Sequence, residues 1–251
     1  MNKILVIGDS CKDIFIYGDC YRLNPEAPTP VLSETRRIEY SGMAANVLKN
    51  IKALGLEADL LTHKEKIIKT RYVDQTSNYI LLRIDNDNSV SSLTNIESIK
   101  FSEYDLVVIS DYNKGFLSEE IIDYILLNSK LSFIDSKKPI GSWIKNASFI
   151  KINKAEYLNP LNDWNLISNE LEQKMLVTLG DKGVKFQNRL YAPPTEIFVR
   201  DVTGAGDSFL ASLSAHFLLY KDIKKAIEFA NLCAGQVVSK RGLAMPDEKL
   251  L

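Results

Sequence analysis

Cysteine and histidine are scarce in this chain, with three cysteines and two histidines among 251 residues. The cysteines Cys11, Cys20 and Cys233 are odd in number and show no Cys-x-x-Cys spacing, so neither a disulfide framework nor a structural zinc site is expected. The histidines, His63 and His216, are too few for a histidine-based metal centre or a His-dependent catalytic triad. This sparing use of cysteine is typical of a reducing compartment.

The chain also lacks an excess of either charge, because 31 Lys and Arg residues are balanced by 32 Asp and Glu residues, for a net charge of -1. Without a long-range positive field, we expect neither nucleic-acid binding nor attraction to an anionic membrane. No apolar run approaches membrane-spanning length, and the first residues run into a strand-like segment rather than a signal peptide. We therefore predict a cytoplasmic protein.

What the sequence does contain is a regular alternation of short aliphatic runs and helical patterns. Such alternation predicts an α/β fold, with a mostly parallel central sheet covered by helices on both faces. Nearly continuous apolar runs are typical of strands that are buried on both faces. The predicted strands are Ile4–Ile7, Leu106–Ile109, Ser132–Ile134, Phe149–Ile152 and Leu176–Thr178. The predicted helices are Ala44–Ala53, Ser118–Leu127, Gly206–Tyr220 and Lys224–Lys240, with Ser118 as an N-cap.

Two stretches depart from this alternation, namely residues of about 22–40 and about 78–88. The first is proline-rich and then alternates in the manner of an exposed strand, and the second is a strand pattern ending in the turn-prone Asp85–Asn88. We predict that they form a small β-lid over one end of the main sheet, within a single domain that spans residues 1–251.

The strongest chemical signal is the segment Asp201–Ser208, which reads Asp-Val-Thr-Gly-Ala-Gly-Asp-Ser and opens an apolar helix. Gly204 and Gly206 permit a sharp turn and close approach of phosphate. The backbone N–H groups of Ala205, Gly206 and Asp207 are expected to point outward at the helix N-terminus, where an anion is favoured. The Asp207 carboxylate could then accept a proton from a hydroxyl that attacks the γ-phosphate of ATP.

A glycine turn that merely caps a helix is the alternative for a bare Gly-x-Gly-Asp. The context here is more specific, since Asp201-Val-Thr203 precedes the turn and a small-residue, apolar helix follows it. The segment is not a Walker A sequence, because no Gly-Lys-Ser/Thr follows, and it lacks the third glycine of a dinucleotide-binding loop.

The segment Asp201–Asp207 resembles the signature of the ribokinase-like (PfkB) carbohydrate kinases. The resemblance extends along nearly the whole chain and is strongest to the kinase domain of the heptose-7-phosphate kinase/ADP-heptose synthase group. The segments that carry it are Gly8-Asp9 with Asp13, Tyr17-Gly18-Asp19, Arg22–Val31, Gly42–Val47 with Asn50, Ser110–Gly115, Ile134-Asp135 with Lys137, and Asn153 with Glu156. No counterpart of the nucleotidyltransferase half of bifunctional members is expected in these residues.

The resemblance implies an ATP-dependent sugar kinase that uses Mg²⁺ and phosphorylates a heptose 7-phosphate at its anomeric hydroxyl. Another sugar or a nucleoside as acceptor, and a catalytically weak sugar-phosphate-binding protein, remain open alternatives. On the nucleotide side it implies roles for Asn153, Glu156, Thr178, Gly180, Gly183 and Asn231, with Glu156 holding Mg²⁺ through water. Taken alone, Asn153-Lys-Ala-Glu156 would be an ordinary helix start, and Asn231 an ordinary helical residue.

On the sugar side, the resemblance implies that Asp13 accepts hydrogen bonds from sugar hydroxyls and that Gly42 and Asn46 lie beneath the sugar. The alternative for Asp13 is a solvated loop acid. Candidate contacts to phosphate or other charges are Arg71, Arg83, Lys114 and Lys137. Packing is the predicted role of Tyr112 and Tyr191, with contact to the ligand as the alternative.

Three features depart from the family pattern. Ser41-Gly42 stands where Gly-Gly is usual, and Asp135-Ser-Lys137 replaces Asp-Pro-Lys. The chain is shortened between His63 and Thr70, and again between Leu158 and Leu176.

A homodimer that associates through the β-lid is also predicted. A small, isolated sheet leaves unpaired edges and is marginal in water, and pairing two lids about a two-fold axis would cover them. The resemblance implies the same association, and a lid that folds back on its own core as a monomer is the alternative.

Overall fold

The predicted strands lie side by side in one large sheet of the computed structural model, which describes residues 2–86, 89–166, 169–194 and 197–246. Within these ranges, eight strands follow the order β12-β11-β10-β9-β8-β7-β1-β4. Their bounds are β1 Ile4–Gly8, β4 Ala58–Leu61, β7 Leu106–Asp111, β8 Ser132–Ser136, β9 Phe149–Asn153, β10 Met175–Thr178, β11 Val184–Phe186 and β12 Arg189–Tyr191.

Six neighbouring strands, from β4 to β10 in spatial order, run parallel, and the short β11 and β12 add an antiparallel edge. The central strands β1 and β7 are buried along their whole length, as their aliphatic sequences predicted. Because the carboxyl ends of parallel strands meet at one edge, the residues that follow β7, β8, β9 and β10 converge there.

Helices cover both faces of the sheet, which confirms the predicted fold class. On one face, α1 (Ala44–Ala53), α5 (Ala205–Tyr220) and α6 (Ile223–Val238) pack against Val6 and Val108. On the other, α2 (Glu119–Asn128) packs against Ile7 and Ile109. The hydroxyl of Ser118 caps α2 by accepting a hydrogen bond from the N–H of Ile121 at 3.3 Å. Single turns form α3 (Lys154–Tyr157) and α4 (Asn169–Glu172).

A second sheet forms the predicted lid, in the order β3-β2-β5-β6. Its strands are β2 Ser10–Leu23, β3 Pro30–Met43, β5 Ile68–Asp74 and β6 Ile80–Asn86. The lid is larger than predicted, because β2 begins at Ser10 and β5 was not predicted at all. Residues 87 and 88, which the prediction included, lie outside the described residues.

The two faces of the lid differ in character. Opposed residues of neighbouring strands point to the same side of a sheet, so the register places Asp13 and Lys69 on one face together with Arg71 and Arg83. We call this side, which also carries the buried side chains of Phe15 and Tyr17, the inner face. The side that carries Leu82 and the other residues in register with it is the outer face. Leu82 is 54% exposed there.

Within the described ranges, every helix is too short or too polar to span a bilayer.

Candidate active site

The site is built on the turn that begins α5. Gly204 caps the helix with φ 80°, a left-handed conformation that side chains disfavour. A Cβ on Gly204 would lie 3.0 Å from Nδ2 of Asn46 and 2.5 Å from Cδ2 of Leu243. Asp201 fixes the approach to the turn, since its carboxylate accepts hydrogen bonds from the N–H groups of Thr203 at 2.9 Å and Gly242 at 3.1 Å. The left-handed φ of residue 204 and the close contacts that a Cβ would make there both require glycine at this position.

Asp207 lies in the first turn of α5 and is 6% exposed. Its Oδ2 accepts a hydrogen bond from Nδ2 of Asn46 at 2.9 Å, and its Oδ1 accepts one from the hydroxyl of Tyr112 at 2.8 Å. Burial raises the pKa of Asp207 from 3.8 to about 6, against the lowering effect of these two hydrogen bonds. At pH 7 the carboxylate is mainly ionised and can accept a proton. Tyr112 packs against the core, as predicted, and its hydroxyl adds a contact to Asp207 that the prediction did not include.

A chain of alternating charges crosses the strand ends next to Asp207. Lys151 donates to Oδ2 of Asp135 at 2.5 Å, and Lys137 donates to Oδ1 of Asp135 at 3.1 Å. Lys137 also donates to Oε1 of Glu156 at 2.5 Å. Burial acts to raise the pKa of Asp135, but the two lysines outweigh it and hold that pKa below its ordinary value. Burial lowers the pKa of Lys137, but Asp135 and Glu156 outweigh that effect and raise it. Lys137 is therefore a cation held in place by two carboxylates.

Lys151 is a site residue that sequence reasoning missed. It is 4% exposed and occupies the middle of β9, where every other central residue is apolar. A Cβ on Gly206 would lie 3.3 Å from the Lys151 ammonium, so glycine at that position lets the cation approach the first turn of α5. The available signal was a single lysine inside the apolar run Phe149–Ile152, because a buried cation in a strand needs a partner or a function.

Asn153 and Glu156 form a capping box at the start of α3. Oδ1 of Asn153 accepts a hydrogen bond from the N–H of Glu156 at 2.8 Å, and Oε2 of Glu156 accepts one from the N–H of Asn153 at 2.9 Å. The helix-start interpretation of this segment is thus correct. With the capping bond on Oε2 and Lys137 on Oε1, each oxygen of the Glu156 carboxylate keeps one lone pair. The role of Glu156 towards Mg²⁺ stays a prediction.

One open cleft of about 590 Å³ joins three of the six predicted nucleotide-side residues, Asn153, Thr178 and Gly180, to Asp207. It is bounded by the ends of β7 to β10 and by the turn before α5. The residues that line it include Tyr112, Asp135, Lys137, Lys151, Asn153, Thr178, Gly180, Gly204, Gly206 and Asp207. The cleft therefore combines two buried carboxylates with three lysines and a glycine turn.

A second, more apolar cavity of about 720 Å³ adjoins the cleft, and Gly180 and Val202 line both. Its remaining lining includes Pro193, Pro194, Ile197, Val199, Asn231, Ala234, Gly235 and Val238. Nδ2 of Asn231 donates to the carbonyl of Tyr191 at 3.0 Å and so ties α6 to β12. Such a narrow apolar space with few polar groups suits a planar ring system.

Gly183 lies behind this cavity rather than in its lining. Its φ is 86°, and a Cβ would lie 2.0 Å from the carbonyl oxygen of Tyr191. The structure thus gives Gly183 a backbone-packing role at the start of β11, and its predicted contact with nucleotide stays a prediction.

The predicted sugar-side residues lie at the base of the lid. Asp13 is buried and pairs with the guanidinium of Arg71. A Cβ on Gly42 would lie 2.1 Å from Oδ2 of Asp13, so no larger residue fits there. Asn46 on α1 links this region to the predicted catalytic base through its hydrogen bond to Asp207. Asp13 is thus neither solvated nor in an isolated loop.

Arg83 lies farther along the lid on β6. Its exposed guanidinium donates two hydrogen bonds of 2.9 Å to the carboxylate of Asp85. Arg83 faces the same side as Arg71, its partner in the β5–β6 register, but it does not line the cleft around Asp207.

Two curated relatives illustrate the similarity to known sequences. A protein of Nitratiruptor sp. named bifunctional protein HldE is 32% identical over 292 aligned positions, which cover 96% of this chain and 62% of the relative. A Helicobacter pylori protein of the same name is 33% identical over 298 positions, which cover 98% of this chain and 64% of the relative. The chain thus spans less than two thirds of the length of these relatives. Both alignments exceed 251 positions, so each relative carries residues without counterpart here.

Solved structures agree on the fold. Ribokinase from Thermotoga maritima superposes with a TM-score of 0.74 at 18% identity, covering 100% of this chain and 98% of that one. A nucleoside kinase of Methanocaldococcus jannaschii gives a TM-score of 0.71 at 18% identity, covering 99% of this chain and 96% of that one. These similarities confirm the predicted ribokinase-like fold.

A family model decides the classification. Residues 61–250, which include the glycine turn, Asp207 and the capping box of Asn153, match the model of the pfkB family carbohydrate kinases. The chain belongs to the pfkB family of carbohydrate kinases, which confirms both the family and the enzyme class that its sequence predicted.

Proposed function

We propose that this chain is an ATP-dependent kinase that phosphorylates a heptose 7-phosphate at its anomeric hydroxyl. The observation that carries the phosphotransfer part is the placement of Asp207. A buried carboxylate with a pKa of about 6 lies at the N-terminus of a long helix and lines an open cleft that is also lined by lysines. A base with that pKa is ionised at neutral pH and still basic enough to accept a hydroxyl proton.

The turn before α5 supplies the anion site. The first N–H groups of a helix lack intrahelical partners, and the helix dipole favours negative charge there. The N–H of Ala205 is partly used, since it donates to the carbonyl of Val202 at 3.3 Å, which leaves Gly206 and Asp207 as the main backbone donors. Lys151 and Lys137 add positive charge beside the turn. We propose that the γ-phosphate of ATP binds between them.

The donor set suits Mg²⁺ that is bound mainly by phosphate and water. Among the described residues, no three acidic, histidine or cysteine side chains are grouped so that they could hold a metal ion directly. Mg²⁺ commonly keeps several waters and takes one or two carboxylates with substrate phosphates. Glu156, with the lone pairs that its capping bonds leave over, would hold it through water. When bound, the ion would neutralise charge on the phosphates.

The neighbouring apolar cavity is proposed to take the base of the nucleotide. It is continuous with the phosphate site through Gly180 and Val202 and has the dimensions of a small-ligand pocket. Asn231, which lines it, is held by the Tyr191 carbonyl and keeps the shape of this wall.

A phosphorylated acceptor is supported by the inner face of the lid. On that face, β2, β5 and β6 carry the cations Lys69, Arg71 and Arg83 beside the carboxylates Asp13 and Asp85, and β3 adds Arg36. Arginine and lysine side chains of this kind can bind a phosphate group through charge-assisted hydrogen bonds. The similarity to the HldE relatives supports heptose 7-phosphate as the specific acceptor.

The test is acceptor-dependent release of ADP from ATP. Heptose 7-phosphate, fructose 6-phosphate, ribose and a nucleoside are compared under the same conditions, with an Asp207→Asn variant as the control for contaminating kinases. We expect the heptose phosphate to give the largest kcat/KM. A higher value with another acceptor would replace the substrate assignment, and no acceptor-dependent ADP with any of them would favour a binding protein.

We also propose that two chains associate through the outer faces of their lids. The exposed apolar residues concentrate on β6 and the turn before it, where Tyr79 is 73%, Leu82 54% and Ile84 48% exposed. β6 is also an edge strand of its sheet, with one side of its backbone unpaired. An isologous contact would cover both features at once.

A further inference from the structure

The Asp207 carboxylate is held by two neutral donors from different elements. The amide of Asn46 comes from α1 and bonds Oδ2, and the hydroxyl of Tyr112 comes from the segment after β7 and bonds Oδ1. Each oxygen therefore keeps one lone pair for another partner. The carboxylate is fixed in orientation while its outward side stays available to a reacting hydroxyl.

No lysine or arginine bonds Asp207 directly among the described contacts. The groups that face it from neighbouring elements are Asp135 on β8, Lys151 on β9 and Cys11 on β2, besides Tyr112. Lys151 is bonded to Asp135, so its charge is largely balanced there. A cation in direct contact would stabilise the carboxylate and make it a weaker base, whereas a neutral hydroxyl stabilises it less.

Tyr112 is itself held in place by a second buried acid. Oδ2 of Asp9, which is fully buried, accepts hydrogen bonds from the N–H groups of Tyr112 at 2.8 Å and Lys114 at 3.2 Å. On the other side, the Lys137 ammonium lies 5.4 Å from the centroid of the Tyr112 ring. The hydroxyl of Tyr112 is thus held against Asp207, because the backbone at Tyr112 cannot shift without breaking the hydrogen bonds to Asp9.

We propose that Tyr112 is a positioning residue for phosphotransfer, whose hydroxyl keeps Asp207 ionised and oriented towards the acceptor. The inference rests on Asp207 as the base of the proposed function and does not depend on which sugar is the acceptor. It assigns a role to the phenolic oxygen alone, since the ring could pack equally well as phenylalanine.

Removing that oxygen leaves the ionised carboxylate with one donor instead of two. The hydrogen bond lowers the pKa of Asp207, so its loss should raise that pKa further above its ordinary value. A hydrogen bond to a charged group is commonly worth enough to move a pKa by about one pH unit. The effect on rate should therefore be large in acid and small in alkali.

The test is the pH dependence of kcat for Tyr112→Phe, with Tyr124→Phe on α2 as the matched control. The acid limb should move to higher pH by about one unit, so turnover falls about fivefold at pH 6 and stays within about twofold of the parent at pH 9. Tyr124→Phe should leave the profile in place. A Tyr112→Phe profile that is lowered by one factor at every pH, or not lowered at all, would overturn the proposal.

A second measurement needs no acceptor and separates this proposal from the substrate assignment. Urea unfolding of Tyr112→Phe is compared with that of the Tyr112→Phe, Asp207→Asn double variant between pH 4.5 and 8.5. In the Tyr112→Phe background, the stability gained through Asp207→Asn should level off at a certain pH. That pH should be about one unit higher than the pH at which the same gain levels off in the parent background. An identical pH range in both backgrounds would show that the hydroxyl does not act on the carboxylate.

Discussion

Replacing Asp207 with asparagine should make the protein more stable at neutral pH while removing its catalytic base. The carboxyl has an ordinary pKa of 3.8 and a folded-state pKa of about 6, raised mainly by burial. At 1.36 kcal/mol per pKa unit, holding it ionised in the folded state costs about 3 kcal/mol. Asparagine has the same shape and carries no charge.

The sign follows from the direction of the shift. Because the folded-state pKa is raised, the stabilising contribution of this carboxyl is full below pH 3.8 and is lost as the pH rises through about 6. The asparagine variant has no titration at this position. Its advantage over the parent should therefore grow by about 2 kcal/mol between pH 4.5 and pH 7.5, and then level off.

The assay is urea unfolding of parent and variant at matched pH values, because the titrations of all other groups cancel in the difference. Asp163→Asn, at an exposed carboxylate, is the matched control for the substitution itself. ATP binding should persist in Asp207→Asn, while turnover falls by ~10²–10⁴-fold. A stability difference that is flat from pH 4.5 to 7.5 would refute the buried, raised-pKa description, and near-parental turnover would refute the base.

Three further outcomes are expected. Glu156→Gln should raise the Mg²⁺ concentration needed for half-maximal rate, since a neutral amide would replace the carboxylate that faces Lys137 and water. An unchanged magnesium titration would leave Glu156 with only its capping role. Gly42→Ala should raise KM for the acceptor while the affinity for ATP is kept, because the added Cβ would lie 2.1 Å from Oδ2 of Asp13; equal changes for both substrates would argue against a sugar site there. Light scattering at micromolar concentration should give the parent a mass of about twice 28.3 kDa, and Leu82→Asp should reduce that mass to the value of the monomer. A parental mass near 28.3 kDa would contradict the dimer.

The central sheet was predictable because its strands are buried on both faces. Ile4–Gly8 and Leu106–Asp111 are surrounded by apolar neighbours, so burial selects continuous aliphatic runs that are visible in the sequence. The helix Ala44–Ala53 was predicted with its observed bounds, and the others differ by one or two residues, within the fraying of helix ends.

The lid was only partly predictable because its strands mix polar and apolar residues on faces of different exposure. In the strand Ile68–Asp74, Lys69 and Arg71 point to the inner face. Charged residues on that face hide the alternation of apolar and polar residues from which a strand is predicted. Pairing with Ser10–Leu23, which lies more than 40 residues earlier, creates this strand. Such long-range pairing is not encoded in a local pattern.

The candidate site likewise contains residues that could be predicted from the sequence and residues that could not. Asp207 and its glycines were predictable because one continuous segment specifies both the turn and the base. Tyr112 was not, since it becomes significant only through its hydrogen bond of 2.8 Å to Asp207, which comes from another element. Lys151 gave a signal as the single lysine of an apolar strand, but its partner, Asp135 at 2.5 Å, comes from another strand and is not visible in the local pattern.

The junctions between lid and core have a mechanical consequence. At Gly8 a Cβ would lie 1.9 Å from the carbonyl oxygen of Ser110, and Met43 holds a positive φ of 60° where β3 passes into α1. The β2–β3 hairpin is thus anchored at both of its ends, whereas its register shifts beyond Tyr17. Bending of the hairpin would be concentrated at that irregularity, so its tip could move while Asp13, which lies before the register shift, keeps its position.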